Sequence, residues 1–282
     1  MAQLCDLHTH STYSDGTVSP AQLIRMAEEA GIGAVALTDH NTVAGLPDFL
    51  EAAARSEVKA VPGVEFSTDY SKYELHILGL FVEPEHYGAV EQLLDQMLQR
   101  KEQSNLELIE TLRCIGIELD YASIKAGTPG GQVNRAVIAA EIARKGYCES
   151  VKQAFARWLA LPLGYYKPPR RLDALEVIRF IKSIGAVAVL AHPFLNMDEE
   201  ALRAFLKDAI PAGLDGIEVY YSGYSPERTE LSERIAREYG LLPSGGSDFH
   251  GGNKPDIRLG FGKDDLQIPM EILESLVRRR NN

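Results

Sequence analysis

Residues 4–40 read LCDLHTHSTYSDGTVSPAQLIRMAEEAGIGAVALTDH, and this stretch sets the pattern of the fold. Its apolar start predicts a short strand, and a polar loop follows. Ser19-Pro20-Ala21-Gln22 then predicts a helix start, with a serine cap, a proline at the first helical position and a capping-box glutamine. Ala34-Val35-Ala36-Leu37 is continuously apolar, as is typical of a parallel strand buried on both faces. The stretch therefore predicts a strand–helix–strand unit.

The same alternation continues along the chain. Further strands are predicted near Ala60–Val64, Leu75–Phe81, Val187–Ala191, Ile217–Tyr221 and Leu241–Ser244, and helices at Pro47–Ala54, Ala174–Ser183, Glu199–Ala209 and Pro226–Tyr239. With the first two strands this makes seven, and the alternation favours parallel βα units. We expect an α/β fold in the form of a closed or nearly closed barrel. In such barrels the active site lies at the carboxyl ends of the strands.

Residues 85–171 break the alternation. Apolar residues at helical spacing between 90 and 112 predict amphipathic helix, and two shorter helices are predicted around Arg135–Lys145 and Ser150–Leu159. A short strand is predicted near Ile117. We expect a mostly helical insertion over 85–171, with 1–84 and 172–282 forming the barrel. Between residues 135 and 171 eight basic residues stand against two acidic ones, although the whole chain has a net charge of −11.

The bulk composition excludes several classes of protein. No apolar run approaches the roughly 20 residues needed to span a bilayer, so we expect no membrane partner. The net charge of −11 argues against duplex DNA binding through a basic surface. The first strand begins so close to Met1 that we expect no signal peptide. Three cysteines at unrelated spacings (Cys5, Cys114 and Cys148) argue against a disulfide scaffold and favour a reducing cytoplasm.

Six of the seven histidines lie in short polar motifs at the ends of predicted strands. The motifs are Asp6-Leu7-His8-Thr9-His10, Thr38-Asp39-His40, Glu74-Leu75-His76, Ala191-His192-Pro193 and Ser247-Asp248-Phe249-His250. Asp15 and Glu65 occupy matching positions after the first and third strands. Histidines and carboxylates without thiols are the ligands of a multinuclear metal site. The residues therefore predict a metal-dependent hydrolase.

Several of these residues also allow simpler interpretations. His8 and His10 are two apart on a strand and so face the same side, but such a pair also arises by chance. Asp15 fits a turn in Ser14-Asp15-Gly16 as well as it fits a ligand. His40 could be a buried histidine bonded to backbone. For Asp39 we expect either orientation of a ligand from behind or a helix cap, rather than metal contact.

The motifs together closely resemble those of the PHP (polymerase and histidinol phosphatase) family, and the resemblance covers the whole barrel. It implies a distorted (β/α)7 barrel and three divalent metal ions, which could be manganese, iron or zinc. One metal would be held by His8, His10, Glu65 and Asp248, and a second by the bridging Glu65 with His76 and His192. The third would be held by Asp15, His40 and His250.

The insertion is similar to that of PHP proteins that act on nucleotides. Arg135 opens a helix and Lys167 ends an aromatic-rich segment, so both look like phosphate ligands. The family often has Pro-His where this chain has Ala136-Val137, which weakens the transfer of exact substrate identity. Nearby aromatic residues could stack on a base, or could form helix core; they are Tyr147, Phe155, Trp158, Tyr165 and Tyr166.

The resemblance and the site chemistry together imply a phosphoesterase in which metal-bound hydroxide attacks a nucleotide phosphate ester. The expected substrate is a small phosphorylated molecule, either a 3′,5′-bisphosphonucleotide losing its 3′-phosphate or the 5′-phosphorylated end of a short RNA. Asp248 would orient or deprotonate the hydroxide, and His192 or His250 would assist the leaving group. The alternatives are a histidinol-phosphate-type phosphatase, a C–N amidohydrolase and a non-catalytic PHP module.

Overall fold

The computed structural model describes residues 4–128, 133–263 and 266–281. Its contacts divide the chain into two compact units, Met1–Gln92 with Leu172–Asn282 and Leu93–Arg171. The second unit ends at the predicted end of the insertion, residue 171, and begins at residue 93 where the prediction has residue 85. The assignment of 85–171 as a separate domain stays a prediction.

The first unit is built on one mixed sheet. Its strands are β1 (Leu4–Asp6), β2 (Ile32–Leu37), β3 (Lys59–Tyr70), β4 (Tyr73–Leu80), β5 (Leu172–Asp173), β6 (Val187–Leu190), β7 (Gly216–Tyr221) and β8 (Leu242–Gly246). The strand order is β1-β2-β3-β4-β6-β7-β8, and β5 pairs with β3 beside this path. The seven strands of the path form a nearly closed barrel, which confirms the predicted α/β barrel fold.

Backbone hydrogen bonds between the two ends of the sheet bring β1 and β8 together. The Leu7 amide donates to the Gly245 carbonyl at 3.1 Å. Beyond the strands, the Asp248 amide donates to His8 and the His10 amide donates to Phe249, both at 2.9 Å. The chain segments that follow β1 and β8 therefore lie side by side, although they are far apart in sequence.

The expectation of uniformly parallel strands is wrong at β4. This strand runs antiparallel to both β3 and β6. No helix intervenes between β3 and β4; β3 continues past Glu65 to Tyr70, and the chain reverses through a tight turn in which Ser71 has a φ of +56°. An antiparallel strand begins at the edge where its parallel neighbours end. His76, in the first half of β4, accepts the Ala191 amide directly after β6 and so lies at the carboxyl edge of that parallel strand.

Ten α-helices are present in the described residues. They are α1 (Pro20–Glu29), α2 (Leu46–Ala53), α3 (Tyr87–Cys114), α4 (Tyr121–Ala126), α5 (Arg135–Arg144), α6 (Val151–Ala154), α7 (Ala174–Ser183), α8 (Glu199–Ala212), α9 (Pro226–Tyr239) and α10 (Met270–Arg280). The predicted capping box of α1 is confirmed, because Ser19 and Gln22 each bond the other's backbone amide. None of the helices described combines the length and apolar character required to cross a bilayer.

An apolar core supports the barrel strands beneath the polar edge. Leu7, Ala36, Leu78 and Val189 contribute to it from four strands or their extensions, and α10 packs onto the same cluster through Leu276. The helix α10 was not predicted, and its apolar residues cover one side of this core. Apolar packing from several strands and from α10 thus holds the barrel strands together.

The second unit is helical and has its own core. The predicted helices around Arg135–Lys145 and Ser150–Leu159 appear as α5 and as α6, which a π-helical turn over Phe155–Leu159 continues. The strand predicted near Ile117 is wrong: this residue lies outside regular structure and is buried in the core of the unit. The aromatic residues considered for base stacking lie partly buried against that core; they are Tyr147, Phe155, Trp158, Tyr165 and Tyr166.

Candidate metal centre

The structure brings all nine predicted metal ligands to one edge of the barrel. His8, His10 and Asp15 follow β1; His40 follows β2; Glu65 and His76 lie within β3 and β4; His192 follows β6; and Asp248 and His250 follow β8. The six histidine rings form a connected cluster, in which the centroid of the His10 ring lies 4.4 Å from that of His40 and 4.1 Å from that of His250. Strands distant in sequence thus supply a single site.

Glu65 is the centre of this cluster and is fully buried. Its Oε2 lies 3.1 Å from His8 Nε2, 3.2 Å from His10 Nε2 and 3.0 Å from His40 Nδ1, and its Oε1 lies 2.7 Å from His76 Nδ1 and 3.1 Å from His192 Nε2. Burial by itself raises the pKa of this carboxyl, but the nearby His8 and His76 hold it well below its usual range. An ionised carboxylate shared by five imidazoles suits the predicted bridging role.

A second carboxylate, Asp15, stands at the open side of the cluster. Its Oδ1 lies 3.1 Å from His250 Nε2, and its Oδ2 lies 3.8 Å from His40 Nε2. Partial burial raises its pKa, but the hydrogen bond from His250 and the charges of the neighbouring histidines lower it to about 2. An ionised carboxylate beside two histidines favours a ligand role for Asp15 over a role in the turn alone.

Five donor atoms at the centre are buried and have no hydrogen-bond partner of acceptable geometry. They are His8 Nε2, both ring nitrogens of His10, His40 Nδ1 and Glu65 Oε2. Buried polar atoms are normally paired, since leaving them unpaired costs free energy. Divalent cations would supply the missing partners, so these residues fit a metal centre. Nitrogen and oxygen donors accept manganese, iron or zinc, and the number and identity of the metals remain predictions.

Three groups of these side chains have ligand atoms close enough to share an ion. The groups are His10 with Asp15, His40 and His250; His8 with His10 and Glu65; and His40 with Glu65 and His76. They overlap the three implied ligand sets, but His10 and His40 each occur in two groups. The division of ligands among individual metals therefore also remains a prediction.

His76 and His40 have pKa values shifted in opposite directions, so they differ in protonation state at neutral pH. Burial lowers the pKa of His76, but the charge of Glu65 and its hydrogen bond outweigh this effect and raise the pKa to about 9. Burial lowers the pKa of His40 to about 4, and the nearby His10 and His76 contribute to the decrease. At neutral pH a metal binding at His76 must displace a proton, whereas His40 is already unprotonated.

Both carboxylate oxygens of Asp248 are engaged by neighbours. Oδ1 lies 3.3 Å from His10 Nε2, whereas Oδ2 accepts a hydrogen bond from the Tyr221 hydroxyl at 3.1 Å and pairs with Lys254 Nζ at 2.6 Å. Asp248 also has a φ of +58°, in a region that costs a non-glycine residue roughly 1–3 kcal/mol. Such strain is typical of functional positions. Of the two predicted roles for Asp248, this arrangement favours orientation over proton abstraction.

Asp39 organises the loop that carries Asp15. It accepts hydrogen bonds from the Ser11 amide at 2.7 Å, from the Ser11 hydroxyl at 2.6 Å and from the Ser14 hydroxyl at 2.5 Å. The alternative role as a cap of α2 is wrong, since the N-cap of that helix is Gly45. Its partners Ser11 and Ser14 flank the predicted ligand Asp15 in sequence, which favours the other predicted role, orientation of a ligand from behind; that role stays a prediction.

Several residues that contact the predicted ligands were missed by sequence reasoning, and three of them hold ligands at the centre of the site. Tyr221 and Lys254 hold Asp248, and Glu218 contacts His8 and His192. The importance of Glu218 could have been predicted from the sequence. A charged residue inside an otherwise apolar strand needs a partner, and the same argument had identified Glu65. Tyr221 and Lys254 gave no comparable signal.

The two predicted phosphate ligands belong to the second unit. Arg135 is the first residue of α5; its guanidinium donates to the Leu159 carbonyl at 3.2 Å and lies 4.5 Å from the centroid of the Tyr166 ring. Lys167 has an exposed side chain, and its carbonyl accepts a hydrogen bond from the Ser104 hydroxyl. The unit therefore brings Arg135 to the aromatic segment that Lys167 ends.

Comparison with known proteins identifies the family. A model of the PHP domain matches residues 6–166, more than half of the chain. The 5′-3′ exoribonuclease Rnm of Escherichia coli (strain K12) is 34% identical over 253 residues, covering 88% of this chain and 86% of the relative. The 3′,5′-nucleoside bisphosphate phosphatase of Chromobacterium violaceum is 28% identical over 283 residues, covering 97% of this chain and 96% of the relative.

A solved structure agrees with these relatives. A protein from Bifidobacterium adolescentis, assigned as a metal-dependent phosphoesterase, superposes with a TM-score of 0.70 at 28% identity, covering 99% of this chain and 97% of that one. The predicted enzyme class, a metal-dependent phosphoric ester hydrolase, is confirmed by these similarities. The similarity spans both the barrel and the second unit, and the chain belongs to the PHP family.

Proposed function

We propose that this protein hydrolyses a phosphate ester of a nucleotide, either the 3′-phosphate of a 3′,5′-bisphosphonucleotide or an ester bond at a 5′-phosphorylated RNA end. The observation that carries the proposal is the convergence of five histidines on the buried Glu65, with five donor atoms left unpaired. The proposal is supported by relatives named as an exoribonuclease and a nucleoside bisphosphate phosphatase. Three cysteines, all free, support a reducing cytoplasm as its location.

Divalent metals, when bound, lower the pKa of water toward about 7 and polarise a phosphoryl group. Glu65 and the surrounding imidazoles would hold them, in the three ligand sets that the family implies. Asp248 keeps Oδ1 turned toward the cluster because Tyr221 and Lys254 occupy Oδ2. In this proposal the main contribution of these side chains is to position the metals and the carboxylate of Asp248.

His250 is arranged as a ligand more than as a proton donor. Its Nδ1 donates to the Asp248 carbonyl at 2.8 Å, so a metal would be bound through Nε2, which lies 3.1 Å from Asp15 Oδ1. His192 directs its Nε2 to Glu65. Ligation and proton transfer compete for the same nitrogen in both rings. Assistance to the leaving group by His192 or His250 stays a prediction.

The proposed recognition of nucleotides depends on the second unit. Arg135 is only partly buried and uses one nitrogen for the Leu159 carbonyl, so other guanidinium donors remain for a ligand. Its stacking on Tyr166 orients the guanidinium plane. We assign Arg135 and Lys167 to the second phosphate of the substrate, in a segment where eight basic residues stand against two acidic ones.

The direct test is product release by manganese-loaded protein. We would supply a 3′,5′-bisphosphonucleotide, a 5′-phosphorylated oligoribonucleotide and histidinol phosphate in parallel, measuring inorganic phosphate and released mononucleotides. We expect turnover of the bisphosphonucleotide or the RNA and little turnover of histidinol phosphate. Turnover of histidinol phosphate alone would overturn the role of the second unit. Inactivity on all three with metal bound would favour an amide substrate or a non-catalytic module.

The variants Arg135→Gln and Lys167→Gln should each raise KM by about 10-fold or more and leave kcat within a few fold. A hydrogen bond to a charged group contributes about 1.5–3 kcal/mol, and 1.4 kcal/mol corresponds to a factor of ten. Steady-state kinetics on the preferred substrate provides the measurement. Arg144→Gln is the matched control, because the exposed Arg144 lies at the other end of α5, where it pairs with Glu141. An unchanged KM would remove both residues from the substrate site.

A further inference from the structure

Glu218 is a fully buried carboxylate in the middle of β7. Its Oε1 lies 3.1 Å from His8 Nδ1, and its Oε2 accepts the backbone amide of His192 at 2.7 Å. His8 follows β1 and His192 follows β6, so one side chain joins two predicted ligands that are distant in sequence. Each oxygen of the carboxylate thus contacts a nitrogen of a different histidine.

The contact with His8 decides which ring nitrogen carries the proton. A neutral imidazole has one N–H, and an ionised carboxylate only accepts hydrogen bonds. When His8 binds a metal it has a single N–H, and facing Glu218 that proton must lie on Nδ1. The lone pair then lies on Nε2, which is 3.1 Å from Glu65 Oε2 and is one of the unpaired buried atoms. A carboxylate behind a metal-binding histidine fixes the tautomer in this way.

The hydrogen bond between Glu218 and the His192 amide stabilises an unusual backbone conformation at His192. His192 has a φ of +25° and a ψ of 54°, in the left-handed region that non-glycine residues rarely adopt. The hydrogen bond from its amide to Glu218 helps to offset that strain. In this conformation His192 Nε2 lies 3.1 Å from Glu65 Oε1. The same carboxylate thus orients two rings toward the two oxygens of Glu65.

We propose that Glu218 is a positioning residue of the metal centre: it fixes the Nδ1–H tautomer of His8 and the backbone of His192, so that both rings present Nε2 to the metals. The inference rests on the metal-dependent function proposed above. It assigns Glu218 no contact with substrate. Its effect is carried by the two histidines.

The substitution Glu218→Gln isolates the tautomer effect because it keeps the size of the side chain. An amide has one accepting oxygen and one donating nitrogen group. The His192 amide can only donate, so it takes the oxygen. The NH2 group then faces His8 Nδ1, which must become an acceptor and move its proton to Nε2. That proton occupies the position where a metal would bind.

The first measurement uses the wild-type protein loaded with zinc, which is diamagnetic. Long-range 1H–15N spectra report which nitrogen of each imidazole carries a proton. We expect the His8 proton on Nδ1 and zinc on Nε2. A proton on Nε2, or zinc bound through Nδ1, would overturn the inference while leaving the metal centre intact. Absence of zinc from the wild-type protein would overturn the proposed metal function together with this inference.

The second measurement compares zinc affinities by chelator competition. Glu218→Gln should weaken zinc binding by about 10–100-fold, as is usual for loss of a residue behind a metal ligand. Glu233→Gln is the matched control, because Glu233 accepts a hydrogen bond from the Tyr220 hydroxyl at 2.9 Å and contacts no predicted ligand in the described structure. Unchanged affinity in Glu218→Gln would contradict the proposal.

A double-mutant cycle separates positioning from damage to the fold. If Glu218 acts through His8, then adding Glu218→Gln to His8→Ala should change the zinc affinity by less than about threefold, because the coupled groups are no longer both present. Fully additive losses would show that the substitution acts elsewhere, and would overturn the inference. Circular dichroism of each variant monitors folding, and the wild-type spectra decide the tautomer even if a variant does not fold.

Discussion

Glu65→Gln should remove most of the bound metal and lower turnover by at least about 100-fold. Loss of a residue that only supports a metal ligand already costs 10–100-fold, and Glu65 contacts five of the six clustered histidines directly. The amide keeps the shape of the side chain but removes the negative charge and one accepting oxygen. It therefore cannot bridge two cations as a carboxylate does. Metal content by elemental analysis and kcat on the preferred substrate are the two readouts.

The control for this prediction is Glu51→Gln, an identical substitution on the exposed face of α2. Glu51 pairs there with Arg55 four residues later, and an exposed pair of this kind contributes little to stability. This variant should retain full metal content and activity. If Glu65→Gln also retained them, the carboxylate would not be a bridging ligand. The site would then have to be built from the histidines with Asp15 and Asp248 alone.

Removal of metal by a chelator should abolish activity and lower the Tm by about 5–10 °C. A ligand at 100 times its Kd stabilises the folded state by about 2.7 kcal/mol, and a protein of this size shifts its Tm by about 2–4 °C per kcal/mol. The structural reason is the set of five unpaired donor atoms, which have no other partner once the cation is gone. Scanning calorimetry before and after dialysis against EDTA provides the measurement.

Restoration by added manganese distinguishes metal loss from irreversible unfolding. Activity and Tm should both return when manganese is added to the dialysed protein. A parallel sample of Glu65→Gln should show little change of Tm on EDTA treatment, because it has little metal to lose. A wild-type Tm that is insensitive to EDTA, with full removal of metal verified, would contradict a stabilising metal centre.

The ligand types and much of the fold could be predicted from local sequence. The capping box at Ser19, the apolar run Ala34–Leu37 and the even spacing of His8 and His10 each depend on residues a few positions apart. Local patterns of this kind reflect helix and strand periodicity, which the sequence records directly. The nine predicted ligands then follow from motif positions, and the resemblance to the PHP family that they carry is confirmed.

Other features depend on contacts between distant segments. The antiparallel direction of β4 was missed because an apolar strand gives no indication of the direction in which it pairs. This direction places His76, in the first half of β4, at the edge where the parallel strands end. The aromatic residues of the second unit pack against its core, and their helical spacing alone could not separate packing from base stacking.

The sequence by itself determined which side chains are available for metal binding and which strands carry them, because these properties are local. Only the tertiary structure decided how the ligands are held. Glu218 lies behind His8, Tyr221 and Lys254 hold Asp248, and the ends of β1 and β8 bond to each other. Each of these contacts joins residues from different elements of the fold. Hydrogen-bond partners of this kind are selected by the packing of the whole barrel, and no periodicity along the chain encodes them.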